Sequence, residues 1–435
     1  SAAFSYLIWS LAAGYFVLAG FSVAYAVTED VALQSLSSAG PESALTFALL
    51  SIGFLIKAAC IGVHVWLPAA YAESDDDLSA MLSALVSKAP IVGLVIAAYA
   101  AIRSDAALHL TYFIGCLGMA TTLLGAMLAV RQNDIKRMLA YSSMSQLGYI
   151  VAAVSLMSHL GWVTALYLTA NHLAVKGCLF LVAAAVILRT GTKSFSGLGA
   201  LGSVMPITFG VTVFAILAMS GLPPLTGFGG KWLLLSAMLE KGWYLPTVLG
   251  VMATLVGLLY MARFVQAIFL GSVKAPWRNV SEAPMPILCA QALLILGILV
   301  MTFFPQLLIA QISKAIDPLF ASTLVWEGMS LELIYAYWNP WPTMIAALSV
   351  SALLIAFLWH FTRRRFKKPA GTTAVSPSTF YEDYKPIFVS LTPPWANNFW
   401  DAVATGAGAL AMGASRTYDG NGQTYTLYVF GYFIV

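Results

Sequence analysis

Residues 166–181 read LYLTANHLAVKGCLFL, an apolar stretch that carries His172 and Lys176 near its middle. Positions i and i+4 share one face of an α-helix, so the imidazole and the ammonium are expected to project from the same side. An ionisable side chain at the centre of a bilayer is costly, and such residues mark ion or proton paths. The stretch therefore predicts a membrane helix with a functional polar face.

The composition places the whole chain in a membrane. Of its 435 residues, 60% are hydrophobic and 9% are charged, and the mean hydropathy is +0.84. Soluble domains carry far more charge. Because the apolar runs are about 20 residues long, they predict helices, whereas outer-membrane strands are shorter and alternate in polarity.

The sequence predicts an all-α polytopic fold of about ten transmembrane helices, some of them discontinuous. The predicted spans are 4–26, 45–68, 78–102, 107–130, 137–157, 163–188, 205–239, 246–270, 285–305 and 341–361. The 205–239 segment is too long for one straight helix and contains GLPPLTGFGG, so we expect two half-helices around an unwound centre.

The distribution of Lys and Arg between alternate loops predicts the orientation. One set of loops holds twelve: Arg131, Lys136, Arg137, Arg189, Lys193, Lys274, Arg278, Arg363, Arg364, Arg365, Lys367 and Lys368. The other set holds three: Arg103, Lys241 and Lys314. Positive residues collect on the cytoplasmic side, so the first residues of this chain are expected there.

Five basic side chains within the predicted spans are placed inside the membrane: Lys57, Lys88, His172, Lys176 and Lys231. Two of them have plain structural alternatives, since Lys88 can reach the interface by its long stem and His172 can be a satisfied core histidine. The break before Lys231 suggests a hydrated pocket, with a non-functional kink as the alternative.

The predicted spans offer these basic groups no acidic partner, because all eighteen Asp and Glu fall in loops or at span ends. Desolvation disfavours a buried positive charge, so such groups are suited to accept and pass protons. A sodium site would need oxygen ligands, for which the spans offer hydroxyls such as Ser142, Ser143, Ser145 and Thr169.

Four stretches together carry a family resemblance. They are HVWLPAAYAE (64–73), RQNDIKRMLAYSSMSQLGY (131–149), ANHLAVKGCLFL (170–181) and GLPPLTGFGGKW (221–232). In order and spacing they resemble the antiporter-like proton-translocating subunits shared by respiratory complex I, Mrp-type sodium/proton antiporters and membrane-bound hydrogenases. The resemblance covers about residues 1–310.

The resemblance implies two inverted five-helix repeats, each with a discontinuous helix, and a line of lysines and histidines along the membrane midplane. Lys57 corresponds to the lysine of the first broken helix, His172 and Lys176 to the central axis, and Lys231 to the second broken helix. Lys88 joins them as a relay residue. Further candidates for proton access or support are His64, Lys136, Ser145, Pro223 and Pro224.

The chain departs from the family pattern in three places. It starts where the sixth helix of the family is expected, so the helix with the glutamate partner of Lys57 is expected to be missing from it. The Pro-Thr-Pro bend of the family is replaced by SDDDLSA (74–80), and Ser83 stands where complex I relatives carry a histidine. We therefore expect a fragment, a first repeat on another polypeptide, or a degenerate subunit that no longer conducts.

The predicted organisation has three parts. Residues 1–310 form the antiporter-like core, corresponding to family helices six to fourteen. Residues 311–362 form an extracytoplasmic connection and an additional transmembrane helix. Residues 363–435 form a basic, Pro/Ser/Tyr-rich cytoplasmic segment that ends in a partial apolar helix.

The predicted function is translocation of protons, with Na⁺ left open, by a non-catalytic subunit of a multi-subunit complex in a prokaryotic inner membrane. A redox module or an opposing ion gradient would drive it. The expected partners are lipids and other membrane subunits, antiporter-like ones included, but not nucleic acid; any redox cofactor would belong to those subunits. The alternative is a non-conducting membrane scaffold of a redox complex.

Overall fold

The computed structural model describes residues 2–365 except 31, 33, 34, 37–39, 103, 104, 224, 271–276, 318, 321, 323, 329 and 334–336, together with residues 402, 405, 406 and 409. The chain divides into two compact units, Ser1–Lys367 and Lys368–Val435. The helices and strands of the fold lie in the first unit. Pro224, Arg103, Lys274 and nearly all of the predicted segment after Arg365 lie outside the described residues.

Helices dominate the described chain. They are α1 (Ala2–Thr28), α2 (Ser43–Lys57), α3 (Trp66–Glu73), α4 (Asp76–Ala84), α5 (Ala89–Ala98), α6 (Asp105–Arg131), α7 (Ile135–Ser155), α8 (His159–Thr190), α9 (Pro206–Ser220), α10 (Thr226–Glu240), α11 (Tyr244–Phe269), α12 (Met285–Phe303), α13 (Pro305–Ile316) and α14 (Pro340–Arg365). Within the described residues, six helical segments are long and apolar enough to cross a membrane, and three shorter apolar helices accompany them. The figure of ten spans stays a prediction.

The predicted span 45–68 is interrupted. Its apolar run alone does not reveal the interruption, whereas the family resemblance implies it. Helix α2 ends at Lys57, and α3 begins only at Trp66. Between them Ala59 and Gly62 adopt left-handed backbone conformations, with φ of 55° and 91°. Such a conformation is unfavourable for alanine, so the surrounding structure must impose it.

Neighbouring side chains satisfy the backbone groups freed by this first interruption. The Ile61 amide donates to Thr121 Oγ1 at 3.0 Å, and Trp66 Nε1 donates to the Ile56 carbonyl at 2.9 Å. Both Thr121 and Trp66 are buried. Non-helical backbone at membrane depth is tolerated where protein supplies such partners.

The second interruption lies where the Pro and Gly residues predict it. Helix α9 ends at Ser220 and α10 starts at Thr226, as expected for two half-helices. Gly221 caps α9 with φ of 80°, a conformation that glycine adopts without cost. A Cβ on Gly221 would also overlap the Lys231 stem, so this glycine lets the lysine lie against the break.

A third irregularity occurs within the predicted span 78–102. A 3₁₀ turn at Val86–Lys88 joins α4 to α5. Pro90, in the first turn of α5, has no amide hydrogen to donate to the preceding turn. The backbone at Lys88 is therefore irregular and does not belong to a straight helix.

Glycines allow α6 and α7 to pack closely. A Cβ at Gly148 would overlap the Thr122 side chain and the Gly118 backbone, and one at Gly125 would come 2.8 Å from the Ser145 amide nitrogen. Small residues at such contacts let helix backbones approach within a membrane. Helix α7 is thereby held against α6, and it also packs on α8.

Replacing Gly148 with Leu is expected to destabilise the fold. Leucine has a higher helix propensity than glycine, so any loss of stability must come from overpacking. Overpacking of this kind costs about 3 kcal/mol. The check is the temperature at which half of the detergent-solubilised chain aggregates. Gly210→Leu is the matched control, because a Cβ there meets no atom within 4 Å beyond its own chain neighbours and helix backbone. Equal behaviour of the two variants would contradict the packing argument.

The region after α12 contains short strands as well as helix, which the sequence does not predict within this mostly helical fold. Strands β1 (Val325–Glu327), β2 (Ser330–Glu332) and β3 (Tyr337–Trp338) form an antiparallel sheet in the order β1-β2-β3. Leu331 and Trp338 are buried, and a Cβ on Gly229 of α10 would overlap the Trp338 ring. These short strands are stabilised by packing against the helices, which no local pattern reveals.

Candidate functional site

Four of the five predicted relay residues are buried, with exposures of 8% for Lys88, 4% for His172, 0% for Lys176 and 7% for Lys231. Lys57 is half-buried. Desolvating a cationic group is expensive unless polar partners surround it. The partners of each residue therefore decide what the site can do.

Lys57 is the last residue of α2 and lies in an aromatic and hydroxyl environment. Its Nζ donates to Ser10 Oγ at 2.9 Å and to the Tyr6 hydroxyl at 3.4 Å. It also lies 4.5 Å from the centre of the Tyr6 ring and 5.5 Å from that of Trp66. Ring faces stabilise the cation without neutralising it.

Lys88 contacts His172 directly. Its Nζ lies 2.6 Å from His172 Nδ1, and it donates to the Ser83 carbonyl at 2.7 Å and to Ser87 Oγ at 2.9 Å. Because all these partners lie within the protein, the interfacial alternative for Lys88 does not apply. The direction of the Lys88–His172 hydrogen bond depends on protonation: an ammonium donates to the imidazole nitrogen, and a neutral amine accepts from a protonated one.

Lys176 uses different partners from His172, although the two lie one turn apart on α8. Its Nζ donates to Ser142 Oγ at 2.6 Å and to the Leu139 carbonyl at 3.3 Å. Ser142 Oγ in turn donates to the Tyr260 hydroxyl at 3.1 Å. His172 and Lys176 thus make separate contacts, His172 with Lys88, and Lys176 with Ser142 and Leu139.

Lys231 lies against the end of α9. Its Nζ donates to the carbonyls of Ser220 at 3.0 Å and Met219 at 3.3 Å, and it lies 4.9 Å from the centre of the Tyr149 ring. The last carbonyls of a helix have no intrahelical partner and carry partial negative charge. The second interruption therefore supplies the acceptors that Lys231 needs.

The other candidates lie apart from this group or support it indirectly. Lys136 forms an ion pair at 2.8 Å with Asp76, the first residue of α4. His64 is buried in the first interruption, and Pro223 lies in the second. Ser145 is buried where α7 packs on α6, and the serine that reaches Lys176 is Ser142.

Carboxylates contact none of the predicted relay lysines in the described part of the chain. The ion pairs there join Lys136 to Asp76, Arg137 to Glu73, His159 to Asp317 and Lys193 to Asp134. Within the same residues, no three His, Cys, Asp or Glu side chains gather as a metal site would require. The relay residues instead meet hydroxyls, carbonyls, an imidazole and aromatic rings.

Comparison with known proteins decides the family. Residues 1–257 match the family described as NADH:quinone oxidoreductase/Mrp antiporter, TM. The chain belongs to this family. The resemblance predicted from the four motifs is confirmed, and the chain is a multi-pass membrane protein of the antiporter-like type.

Two relatives illustrate the match. NADH-quinone oxidoreductase subunit N of Desulforudis audaxviator is 30% identical over 292 residues, which cover 66% of this chain and 58% of the relative. F(420)H(2) dehydrogenase subunit N of Methanosarcina mazei is 29% identical over 335 residues, which cover 72% of this chain and 66% of the relative. The chain thus spans about three fifths to two thirds of the length of these antiporter-like proteins.

Solved structures share the fold. A chain of the membrane-bound sulfane sulfur reductase, an archaeal respiratory membrane complex, is 26% identical with a TM-score of 0.76, over 100% of this chain and 76% of that one. A chain of the Mrp complex from Dietzia sp. is 23% identical with a TM-score of 0.68. That match covers 74% of this chain and 68% of the Mrp chain. A chain of respiratory complex I from Thermus thermophilus is 23% identical with a TM-score of 0.66. That match covers 74% of this chain and 69% of the complex I chain. The last two matches show the antiporter-like fold alone.

Proposed function

We propose that this chain translocates protons through the membrane by way of Lys57, Lys88, His172, Lys176 and Lys231. The observation that carries the proposal is the buried contact between Lys88 Nζ and His172 Nδ1 at 2.6 Å, with Lys176 one turn away on α8. A proton that passes from Lys88 to His172 exchanges their donor and acceptor roles without moving a heavy atom.

The surroundings of these residues suit transient protonation. Fixed carboxylate partners would hold each lysine permanently charged, whereas hydroxyls and carbonyls stabilise the ammonium less strongly. Repulsion between neighbouring cations favours one added proton at a time along the relay. Ordered transfer then follows from electrostatics.

The driving force would come from other subunits. Relatives are named as subunits of NADH-quinone oxidoreductase and of F(420)H(2) dehydrogenase, and related folds occur in sulfane sulfur reductase and Mrp complexes. By analogy this chain would assemble with other membrane subunits, including antiporter-like ones, in a prokaryotic inner membrane. A redox module with its own cofactors, or an opposing ion gradient, would power the relay.

A non-conducting scaffold is the second candidate. It is favoured by the surroundings of Lys57, which meets Ser10, Tyr6 and Trp66 but no carboxylate among the described residues. A scaffold would have no use for buried lysines at the other positions, where their desolvation is costly. We therefore place translocation first.

Replacing Lys231 with Gln in the assembled complex tests the proposal. Glutamine can still donate to the carbonyls of α9 but cannot carry a proton, so translocation should fall about 10²-fold, the lower range for loss of a proton carrier. The measurement is the initial rate of proton uptake into inverted membrane vesicles. Lys314→Gln, on the exposed side of α13, is the control and should pump normally. Normal pumping by both variants would favour the scaffold.

A further inference from the structure

Two polar contacts join α4 to α7. In the first turn of each helix, Lys136 Nζ donates to Asp76 Oδ1 at 2.8 Å. About two turns farther along, Ser83 Oγ lies 2.9 Å from Ser143 Oγ. Both contacts join residues that are 60 positions apart in the sequence, so the two helices advance together from one contact to the other. A shift of α4 along α7 by one turn would break both contacts.

The inner contact, between the two serines, is connected to the proposed relay. The Ser143 hydroxyl donates to the Leu139 carbonyl at 2.9 Å, so the hydrogen between Ser83 and Ser143 comes from Ser83. The Leu139 carbonyl also accepts from Lys176. The Ser83 carbonyl accepts from Lys88 at 2.7 Å. The register of α4 on α7 therefore places acceptors of two relay lysines at once.

The outer contact, between Lys136 and Asp76, suits a fixed support better than proton transfer. The Lys136 side chain is 3% exposed and that of Asp76 is 33% exposed. Lys136 also donates to the Ser74 carbonyl, just before α4. A carboxylate in direct contact holds an ammonium group charged. Of the two roles predicted for Lys136, access and support, the contacts therefore favour support.

Helix α4 needs such a support. It has nine residues, packs mainly on α8 and touches α7 at few places. It ends at Ala84, and the 3₁₀ turn that carries Lys88 follows. Because a helix this short is marginal without packing, the contacts along it decide where its end lies. The position of Lys88 thus depends on the two contacts with α7.

We infer that Asp76 and Lys136 are positioning residues of the proton path. Their ion pair holds α4 in the register on α7 in which Lys88 and Lys176 meet their acceptors. The inference rests on the proposed function. Neither Asp76 nor Lys136 carries the transferred proton. Without the pair, α4 shifts along α7, which lengthens the contacts of Lys88 and slows proton transfer while the chain stays folded.

Asp76→Asn in the intact complex tests the inference, with Asp77→Asn as the matched control. Both residues lie in the first turn of α4, but Asp77 is exposed and forms no ion pair within the described residues. Proton uptake by vesicles should fall about tenfold in Asp76→Asn, because a small misplacement of reacting groups is enough to slow transfer. Asp77→Asn should match the parent, and Asp76→Glu, which keeps the carboxylate, should restore most of the uptake.

Two further readouts separate positioning from a general loss of structure. The ratio of uptake rates in H₂O and D₂O should rise in Asp76→Asn alone, because proton transfer then limits the rate. A smaller amount of folded complex would not change this ratio. The register itself is measured by the yield of the disulfide between Ser83→Cys and Ser143→Cys, mapped by mass spectrometry. That yield should fall when Asp76→Asn is added and stay unchanged with Asp77→Asn.

A double variant covers the case in which Asp76→Asn fails to assemble, because removing one partner leaves Lys136 as an unpaired buried charge. Asp76→Asn with Lys136→Met removes both charges and should lose uptake to the same extent. Uptake and an isotope ratio like the parent's in the assembled double variant would overturn the inference. So would an equal loss in Asp77→Asn, or a failure of Asp76→Glu to restore uptake.

The Lys231→Gln result separates this inference from the proposed function. If Lys231→Gln stops pumping while Asp76→Asn pumps like the parent, the positioning role is wrong and the relay stands. If Lys231→Gln pumps normally, the relay is wrong, and the disulfide yield alone decides whether the ion pair sets the register of α4.

Discussion

Replacing Lys176 with Met should abolish proton translocation while the complex stays assembled. Lys176 is fully buried, and its Nζ is held by Ser142 Oγ and the Leu139 carbonyl. Methionine fills similar space without a titratable group. The change removes a buried cation that has no carboxylate partner in the described part of the chain, and Ser142 Oγ still donates to the Tyr260 hydroxyl, so the fold should tolerate it.

The loss of activity should be at least about 10²-fold, because in the proposed relay the amine itself carries the proton. The measurement is proton uptake by vesicles, divided by the rate of the driving reaction, with subunit content checked by native gel electrophoresis. Lys314→Met is the control, since its side chain is exposed on α13. Uptake within about twofold of the parent in Lys176→Met would remove Lys176 from the relay.

Replacing His172 with Leu should also lower translocation by about 10²-fold. The substitution removes the imidazole that lies 2.6 Å from Lys88 Nζ and exchanges a proton with it in the proposed relay. Lys88 keeps Ser83 and Ser87 as its partners. Assembly should persist because Lys88 keeps these two acceptors. His109→Leu, at an exposed position of α6, is the matched control.

A double variant, Lys88→Met with His172→Leu, tests whether the two residues work as one unit. Residues that act together show effects far from additive, so the double variant should pump no worse than the more damaged single variant. If the loss in the double variant equals the product of the two single losses, Lys88 and His172 lie on separate paths. That result would contradict the proton exchange proposed from their contact.

The sequence alone determined what depends on local chemistry. GLPPLTGFGG predicts the second interruption because proline lacks an amide hydrogen and Gly221 takes a left-handed conformation freely. The apolar runs predict buried basic residues, since the length of a run sets the depth of Lys176 and Lys231. The four motifs identify the family, which the match over residues 1–257 confirms.

Tertiary structure alone decided which groups meet. His172 contacts Lys88, which lies 84 residues away in the sequence. Lys176 contacts Ser142 and not Ser143 or Ser145. Nothing local in the segment 58–65 demands the first interruption, where Ala59 is held in an unfavourable conformation beside the Thr121 contact. Local patterns fix backbone preference and burial, whereas the partner of a buried cation depends on how separate helices pack, because only packing brings distant side chains within hydrogen-bonding distance.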